Sequence, residues 1–377
     1  MKETTFLKAS QVKRIWSNLN WALILTCLAL VLYGLFVLYS ASSTDTGRAA
    51  FWWQVGFVLF GAVLAAFLAF IDYHVWLKLA YPFYIVVLIL LVIVLITGKE
   101  VYGAQRWLFI GPISLQPSEL AKGALILVLA KEIGTRKEGA SEFYRFLRCL
   151  ILVILPAILT FEQPDLGTSI VLFFIFFPMA YFGEIGLKFV LGFLGILLAS
   201  LPLLWHFLHD YQKNRFLVLF NPNVDPTGIG YNLRQSLMTI GSGGLLGKGY
   251  LQGTQKQLQF LPVRHSDFIF AVLAEELGFI GVTVLLFLYG ILFYLVLRVA
   301  QEAEDIYGRL LAIGAVSLWL CHILVNIGMT VGIMPVTGIW LPFFSYGGSN
   351  VILNFFAIGL IFSVLLHKRK FLFYPEK

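Results

Sequence analysis

The stretch LPVRHSDFIFAVLAEELG (261–278) sets Arg264, His265 and Asp267 at the edge of an apolar run, Phe268 to Leu273, and places Glu275 and Glu276 within the same segment. Ionisable groups in a membrane segment are costly and are functional candidates on that ground. The chemistry open to Asp267 is proton abstraction, for which a base works best when its pKa nears the ambient pH. Burial against Phe268 and Phe270 would raise that pKa, and a helix N-terminus would lower it. The sequence leaves both open, together with a plain capping role for Ser266 or Asp267. Arg264 and His265 suit a phosphate or another leaving group. Glu275 and Glu276 fall about 80° and 180° round a helix from Asp267 and roughly 12–14 Å along it. Neither can form a carboxylate dyad with it, so both read as polar contacts inside a bundle.

Other residues share this character. Glu119 and Lys122, at i and i+3 in QPSELAK, lie on one helix face and can pair. Pro117 and Glu119 suit a helix start. Asp165 in EQPDLGTS reads either as a helix cap or as a polar contact for a sugar or a metal. His322 and Asn326, at i and i+4, suit hydrogen bonds between helices ahead of a proton relay. Between 209 and 266 stand Lys213, Arg215, Arg234, Lys248, Lys256 and Arg264 against Asp210 and Asp225. That surface suits either the phosphate or pyrophosphate headgroup of a substrate or ordinary contact with anionic lipid. The glycines of IGSGGLLGKGYLQGTQ (240–255) would let backbone N–H groups approach one. The order of a nucleotide P-loop is absent.

The elements that must position these groups are membrane helices. Of 377 residues, 59% are hydrophobic and 12% charged, against about 25% charged in soluble domains. The net charge of +7 is explained by lysine and arginine on inner loops and by lipid headgroups, without nucleic acid. Cys27, Cys149 and Cys321 lie in apolar segments with no ligand spacing. The N-terminus reads as a retained cytoplasmic arm. Ten spans are expected, at 20–40, 51–71, 76–96, 116–134, 146–161, 166–182, 187–208, 267–297, 306–331 and 349–367. They form one all-α bundle over 1–377, with a long outer loop, 209–266, between the seventh and eighth. Lys2, Lys8, Lys13, Arg14, Lys131, Arg136, Lys137, Arg145, Arg148, Arg298, Arg309 and Lys368–Lys370 then share one side, which puts both termini in the cytoplasm. The loops rich in Gly, Pro and isolated charge (101–122, 162–169, 209–266 and 334–350) face outward, and any chemistry with them.

The motifs GAQRWL, QPSELAK, QPDLGTS, NPNVDPTGIGYNLRQS, IGSGGLLGKG, GTQKQLQFLPVRHSDFIFAVLAEELG, NIGMTVGIMPVTGIWLPFFSYGGS and the C-terminal HKRK resemble, over nearly the whole chain, the SEDS family of shape, elongation, division and sporulation proteins. Within it they are most similar to the rod-shape (RodA) branch. The resemblance implies a ten-helix, GT-C-like peptidoglycan glycosyltransferase of the bacterial inner membrane that polymerises lipid II during elongation. Asp267 maps onto the family's essential aspartate, and Arg106, Glu119, Lys122 and Asp165 onto residues of its outer motifs. A class B penicillin-binding protein and other elongation-complex membrane proteins are the implied partners, and magnesium or manganese a plausible cation whose ligands are not readable. With the basic loop, this makes Arg106, Glu119, Lys122, Asp165, Arg234, Lys248, Arg264 and His265 candidate substrate contacts. The rival readings are a lipid II flippase and a scaffold for cell-wall enzymes. A flippase would be expected to show paired repeats and matching broken helices, and neither is evident. A scaffold would leave Glu119, Lys122 and Asp267 without a task.

Overall fold

The computed structural model describes residues 20–43, 48–101, 104–111, 113–135, 141–254 and 263–367. The N-terminal arm, Arg136, Lys137, Gln255, Lys256 and Lys368–Lys370 lie outside the described residues. In chain order the elements are α1 (Trp21–Ala41), α2 (Ala49–Phe70), α3 (Tyr73–Lys78), α4 (Ala80–Thr97), β1 (Lys99–Val101), β2 (Ala104–Ile110), β3 (Ile113–Leu115), α5 (Pro117–Gly134), α6 (Glu142–Glu162), α7 (Leu166–Phe182), α8 (Leu187–Phe207), α9 (Asp210–Phe220), α10 (Ile229–Gly243), α11 (Ile269–Gln301), α12 (Ile306–Thr330) and α13 (Gly348–Leu366).

Seven of these, α1, α2, α4, α6, α11, α12 and α13, are long and apolar enough to cross a membrane. The other expected spans coincide with α5, which carries Glu119, Lys122, Lys131 and Glu132, and with the shorter apolar helices in α7 and α8. The chain is therefore a largely helical, multi-pass membrane protein. Lipid accounts for the surface: Leu25, Leu32, Phe60, Val63, Phe67 and Ile96 are all exposed on helices whose other faces are buried. Small residues draw backbones together in the interior, as is usual where no hydrophobic force separates helix from lipid. A Cβ on Gly359 of α13 would lie 2.8 Å from Leu68 Cβ and 3.0 Å from Ala65 Cα on α2. Cys27, Cys149 and Cys321 are buried free thiols.

Two stretches expected as outer loops are folded. The three strands form an antiparallel sheet in the order β1-β2-β3, with Leu108 opposite Leu115 and Ile110 opposite Ile113. β2, AQRWLFI, is rich in strand formers, and Gly111 takes the left-handed φ of +63° that the turn to β3 needs. In the 209–266 segment, α9 and α10 are helical. Gly230, Leu233, Ser236, Thr239 and Gly243 recur on one face of α10 and are its buried residues, and that face packs against α11. α11 runs for 33 residues, but Gly278 has non-helical φ 64°, ψ −162°, and breaks it.

Candidate active site

Arg106 stands on β2, where the strand brings it to the turn between α6 and α7. Its Nε donates to Gln163 O at 3.2 Å and its Nη2 to Pro164 O. Nη1 lies 3.9 Å from Asp165 Oδ1. One planar fork therefore ties a strand to a helix-helix turn, which lysine could not do. Asp165 also caps α7: its Oδ1 accepts from Thr168 N at 3.2 Å, its Oδ2 from Thr168 Oγ1 at 2.9 Å and from Gln116 Nε2 at 3.4 Å. The capping role and the polar-contact role are thus held together. Burial pushes the Asp165 carboxyl up, but Arg106, Lys122 and the Thr168 hydrogen bonds outweigh it and hold it below the usual range.

Asp267 lies in the turn just before α11. Phe268 occupies the N-cap position of that helix, and no side chain caps it there. The Asp267 carboxylate is thereby released from the capping role. It is within hydrogen-bonding reach of the Ser266 hydroxyl and the Trp340 indole, and within the electrostatic reach of Arg215 and Arg106. Burial nonetheless prevails over these four and raises its pKa above the ordinary aspartate value.

The 334–347 segment builds the facing wall. Asn326 of α12 holds both sides together, donating from Nδ2 to Asp267 O at 3.1 Å and to Ile339 O at 2.7 Å. Ser345 Oγ donates to Ser266 O at 2.6 Å, and Tyr346 N donates to His265 O at 2.9 Å. Arg215 of α9 donates to Thr337 O at 3.0 Å. Gly338, at φ +77°, stands beside the carboxylate: a Cβ there would lie 3.3 Å from Asp267 Oδ2. Trp107 and Trp340 bring their ring centroids to 5.7 Å.

Asp267, Arg106 and Asp165 therefore come together, with Glu119 and Lys122 beside them. Lys122 Nζ pairs with Glu119 Oε1 at 2.5 Å and lies 3.1 Å from His322 Nε2, deep in the bundle. The other candidates are placed differently. Arg264 is buried and donates to Ala41 O at the end of α1. His265 packs its ring against Tyr346. Arg234 is bound to Asn223 Oδ1 and Pro226 O in exposed contacts, apart from this cluster. Lys248 is bound to Glu275 Oε1 at 2.7 Å, which runs against its expected role as a phosphate ligand. The anion nest expected of the glycines beside it is also not formed: Lys248 N and Gly249 N donate to Glu275 O and Glu276 O. The break in α11 frees those carbonyls, and the loop satisfies them. Arg215, Trp340 and Gly338 were not singled out by sequence. Arg215 was one of several loop cations, and Trp340 lay inside a motif read as a whole.

Among the described residues no three His, Cys, Asp or Glu side chains converge, so no all-protein cage for magnesium or manganese is formed there. Asp165 and Glu119 already serve Arg106, Thr168, Gln116 and Lys122, and Asp267 faces two guanidinium groups.

Known proteins show the same arrangement of chain. The family of FtsW, RodA and SpoVE cell cycle proteins matches residues 20–370. The peptidoglycan glycosyltransferase MrdB of Escherichia coli K12 is 42% identical over 95% of this chain and 96% of its own. Peptidoglycan glycosyltransferase RodA of Treponema pallidum is 30% identical over 92% and 98%. Among solved structures, a chain of a peptidoglycan synthase complex described as coordinating polymerization and crosslinking superposes with a TM-score of 0.78 at 33% identity, covering 92% of this chain and 97% of that one. The rod shape determining protein RodA of Thermus thermophilus gives 0.69 at 32%, covering 92% and 96%.

Proposed function

The chain belongs to the FtsW/RodA/SpoVE family of cell cycle proteins, and from that premise we propose that it is a peptidoglycan glycosyltransferase that polymerises lipid II, with Asp267 as general base. The observation that carries this reading is a single carboxylate in the turn before α11, held by Asn326 at its backbone oxygen, walled by Gly338 and within electrostatic reach of Arg106 and Arg215. An inverting transfer needs one base and no protein nucleophile. The 4-hydroxyl of the acceptor GlcNAc gives its proton to Asp267 as its oxygen bonds to the anomeric carbon of the donor MurNAc. The bond from that carbon to the undecaprenyl pyrophosphate breaks, and the pyrophosphate leaves with the electron pair. Arg106 and Arg215 supply fixed positive potential where that charge develops, a preorganised form of stabilisation. Asp165, held ionised, keeps Arg106 in place.

The site faces outward, both termini are cytoplasmic, and ten helices cross the membrane, with α5, α7 and α8 completing the seven apolar ones. The similarity to a subunit of a synthase complex supports a class B penicillin-binding protein as partner, and the relatives MrdB and RodA support a role in elongation. Lys122, Glu119 and His322 form the floor of the substrate site, and Arg264 and His265 anchor the Asp267 turn.

The test is purified protein with lipid II, with and without its transpeptidase partner, reading glycan strands on a gel. Polymer is expected from the parent and none from Asp267→Ala, with folding and partner binding intact. Lipid scrambling in liposomes without polymer would instead make the protein a flippase.

A further inference from the structure

About two turns along α11 from Asp267 lies a group of polar residues that the chemistry above leaves unused. Glu275 is fully buried. Lys248 Nζ donates to its Oε1 at 2.7 Å. Thr254 Oγ1 accepts from the same amine at 2.7 Å and donates to the same carboxylate oxygen at 3.1 Å. The three close a small triangle at the point where α11 is broken. Across that break the backbone of 244–249 pairs with the helix: Lys248 N to Glu275 O at 2.9 Å, Gly249 N to Glu276 O at 3.0 Å, Phe279 N to Gly244 O at 3.0 Å and Ile280 N to Leu245 O at 3.2 Å. The approach leaves no room for side chains. A Cβ on Gly247 would lie 2.2 Å from Glu276 O, one on Gly278 2.3 Å from Gly247 N, and one on Gly253 2.8 Å from Glu275 Oε2.

The path of the chain gives this contact a consequence. The chain stands beside α11 at Lys248 and is at the N-terminus of the same helix at Asp267, and the two ends of the connection between them are both held. Its far end is tied by the Tyr346, Ser345 and Ala41 hydrogen bonds to His265, Ser266 and Arg264. Its near end is tied by the triangle, by the backbone pairs and by Tyr250, whose hydroxyl donates to Phe36 O at 3.0 Å. An ion pair between a buried carboxylate and a partly exposed lysine adds little net stability, because desolvation offsets the attraction, and what it supplies is geometry. Such a pair discriminates one register of the loop from others.

We propose that Lys248, Thr254 and Glu275 form a clasp that fixes the loop carrying Asp267 against the broken helix. Lys248 and Glu275 are then positioning residues for glycosyl transfer, acting through the loop and not on the substrate. The inference rests on the reading of Asp267 as the base.

The experiment is lipid II polymerisation by the purified full chain as Lys248→Met, Glu275→Gln, the double variant, Lys248→Arg and Thr254→Val, with kcat and KM separated and kcat followed against pH. Positioning predicts that kcat falls about tenfold or more in each charge-removing single variant while KM stays within about twofold. The double variant is expected to be no worse than the worse single, and Lys248→Arg to recover most of the rate. A loosened loop hydrates Asp267, so the acid limb of kcat moves to lower pH, a change that lost folding alone would not produce. Parental kcat in both single variants would overturn the clasp. So would a KM rise confined to Lys248→Met, which would make that lysine a substrate contact. Thr254→Val removes one hydroxyl and stays measurable if a charge variant does not fold; parental kcat and an unmoved pH limb there would also overturn the clasp. Asp267→Asn in the same assay separates the two readings. An active Asp267→Asn sinks the base, whereas an inactive one beside fully active clasp variants sinks the clasp alone.

Discussion

Asp267→Asn changes two quantities in opposite directions. The amide keeps the shape of the carboxylate but cannot take a proton. A positioned general base contributes about 10²–10⁴-fold to rate, so the loss corresponds to about 3–5.5 kcal/mol of barrier. Stability should move the other way. Burial raises the pKa of Asp267 despite Ser266, Arg215, Arg106 and Trp340. A carboxyl whose folded pKa lies above its unfolded value, about 3.9, binds its proton more tightly when folded. Above the folded pKa its ionised form therefore costs folding free energy, and that cost fades as pH falls to the unfolded value. The asparagine variant carries no charge and escapes the cost. It is expected to melt at a higher temperature than the parent at about pH 8, and to lose that advantage toward about pH 4. Polymerisation and thermal melts of the same detergent-purified samples, over one pH series, supply both readouts. Parental polymerisation would refute the base. A lower melting temperature at about pH 8 would refute the claim that burial dominates at this carboxylate.

Arg106→Met leaves two carbonyl oxygens and Asp165 without their cation, and is expected to cost about 3–5 kcal/mol in thermal or denaturant unfolding. It should also move the acid limb of polymerisation to higher pH, because Arg106 lowers the pKa of Asp267; Arg106→Lys should restore the limb but not the stability, since it lacks the fork. Glu119→Gln and Lys122→Met each break a pair whose side chains are 5% and 1% exposed, at an expected cost of about 3–5 kcal/mol, and the double variant should unfold less readily than either single. Gly338→Ala forces φ +77° on an L-residue, costing about 1–2 kcal/mol. It also sets a methyl 3.3 Å from Asp267 Oδ2, so polymerisation should fall by about tenfold or more, as read on the same gel assay.

The helices were legible because an apolar run of membrane length has few other uses in a sequence. Expected and observed ends differ by a few residues at most spans: 187–208 against Leu187–Phe207, and 306–331 against Ile306–Thr330. The Glu119–Lys122 pair was legible too, since spacing on one helix decides it. Contacts made only by tertiary packing were not. Nothing local in AQRWLFI says that Arg106 will reach the carbonyls of residues 163 and 164, and nothing near Arg215 says that it will face Asp267. Lys248 shows the limit most clearly. Its glycine-rich surroundings suit an anion, but the anion it meets is Glu275, exposed to it by a helix break at Gly278 that apolar periodicity conceals.

In α5 every residue but Leu120, Lys131 and Gly134 is buried, and this helix also carries Glu119, Lys122 and Glu132. Charged side chains oppose entry into bare lipid, by about 2.5–3.5 kcal/mol for a lysine at a helix centre. A segment of this kind is poorly suited to enter a bilayer by itself and needs neighbours already in place: α4, α6, α7 and α12 to surround it, and His322 to meet Lys122. Membrane assembly of this protein is then ordered by polarity, with the greasy outer helices inserting unaided and this helix, with Glu119, Lys122 and Glu132 buried, admitted last, into a sheath of protein made for it.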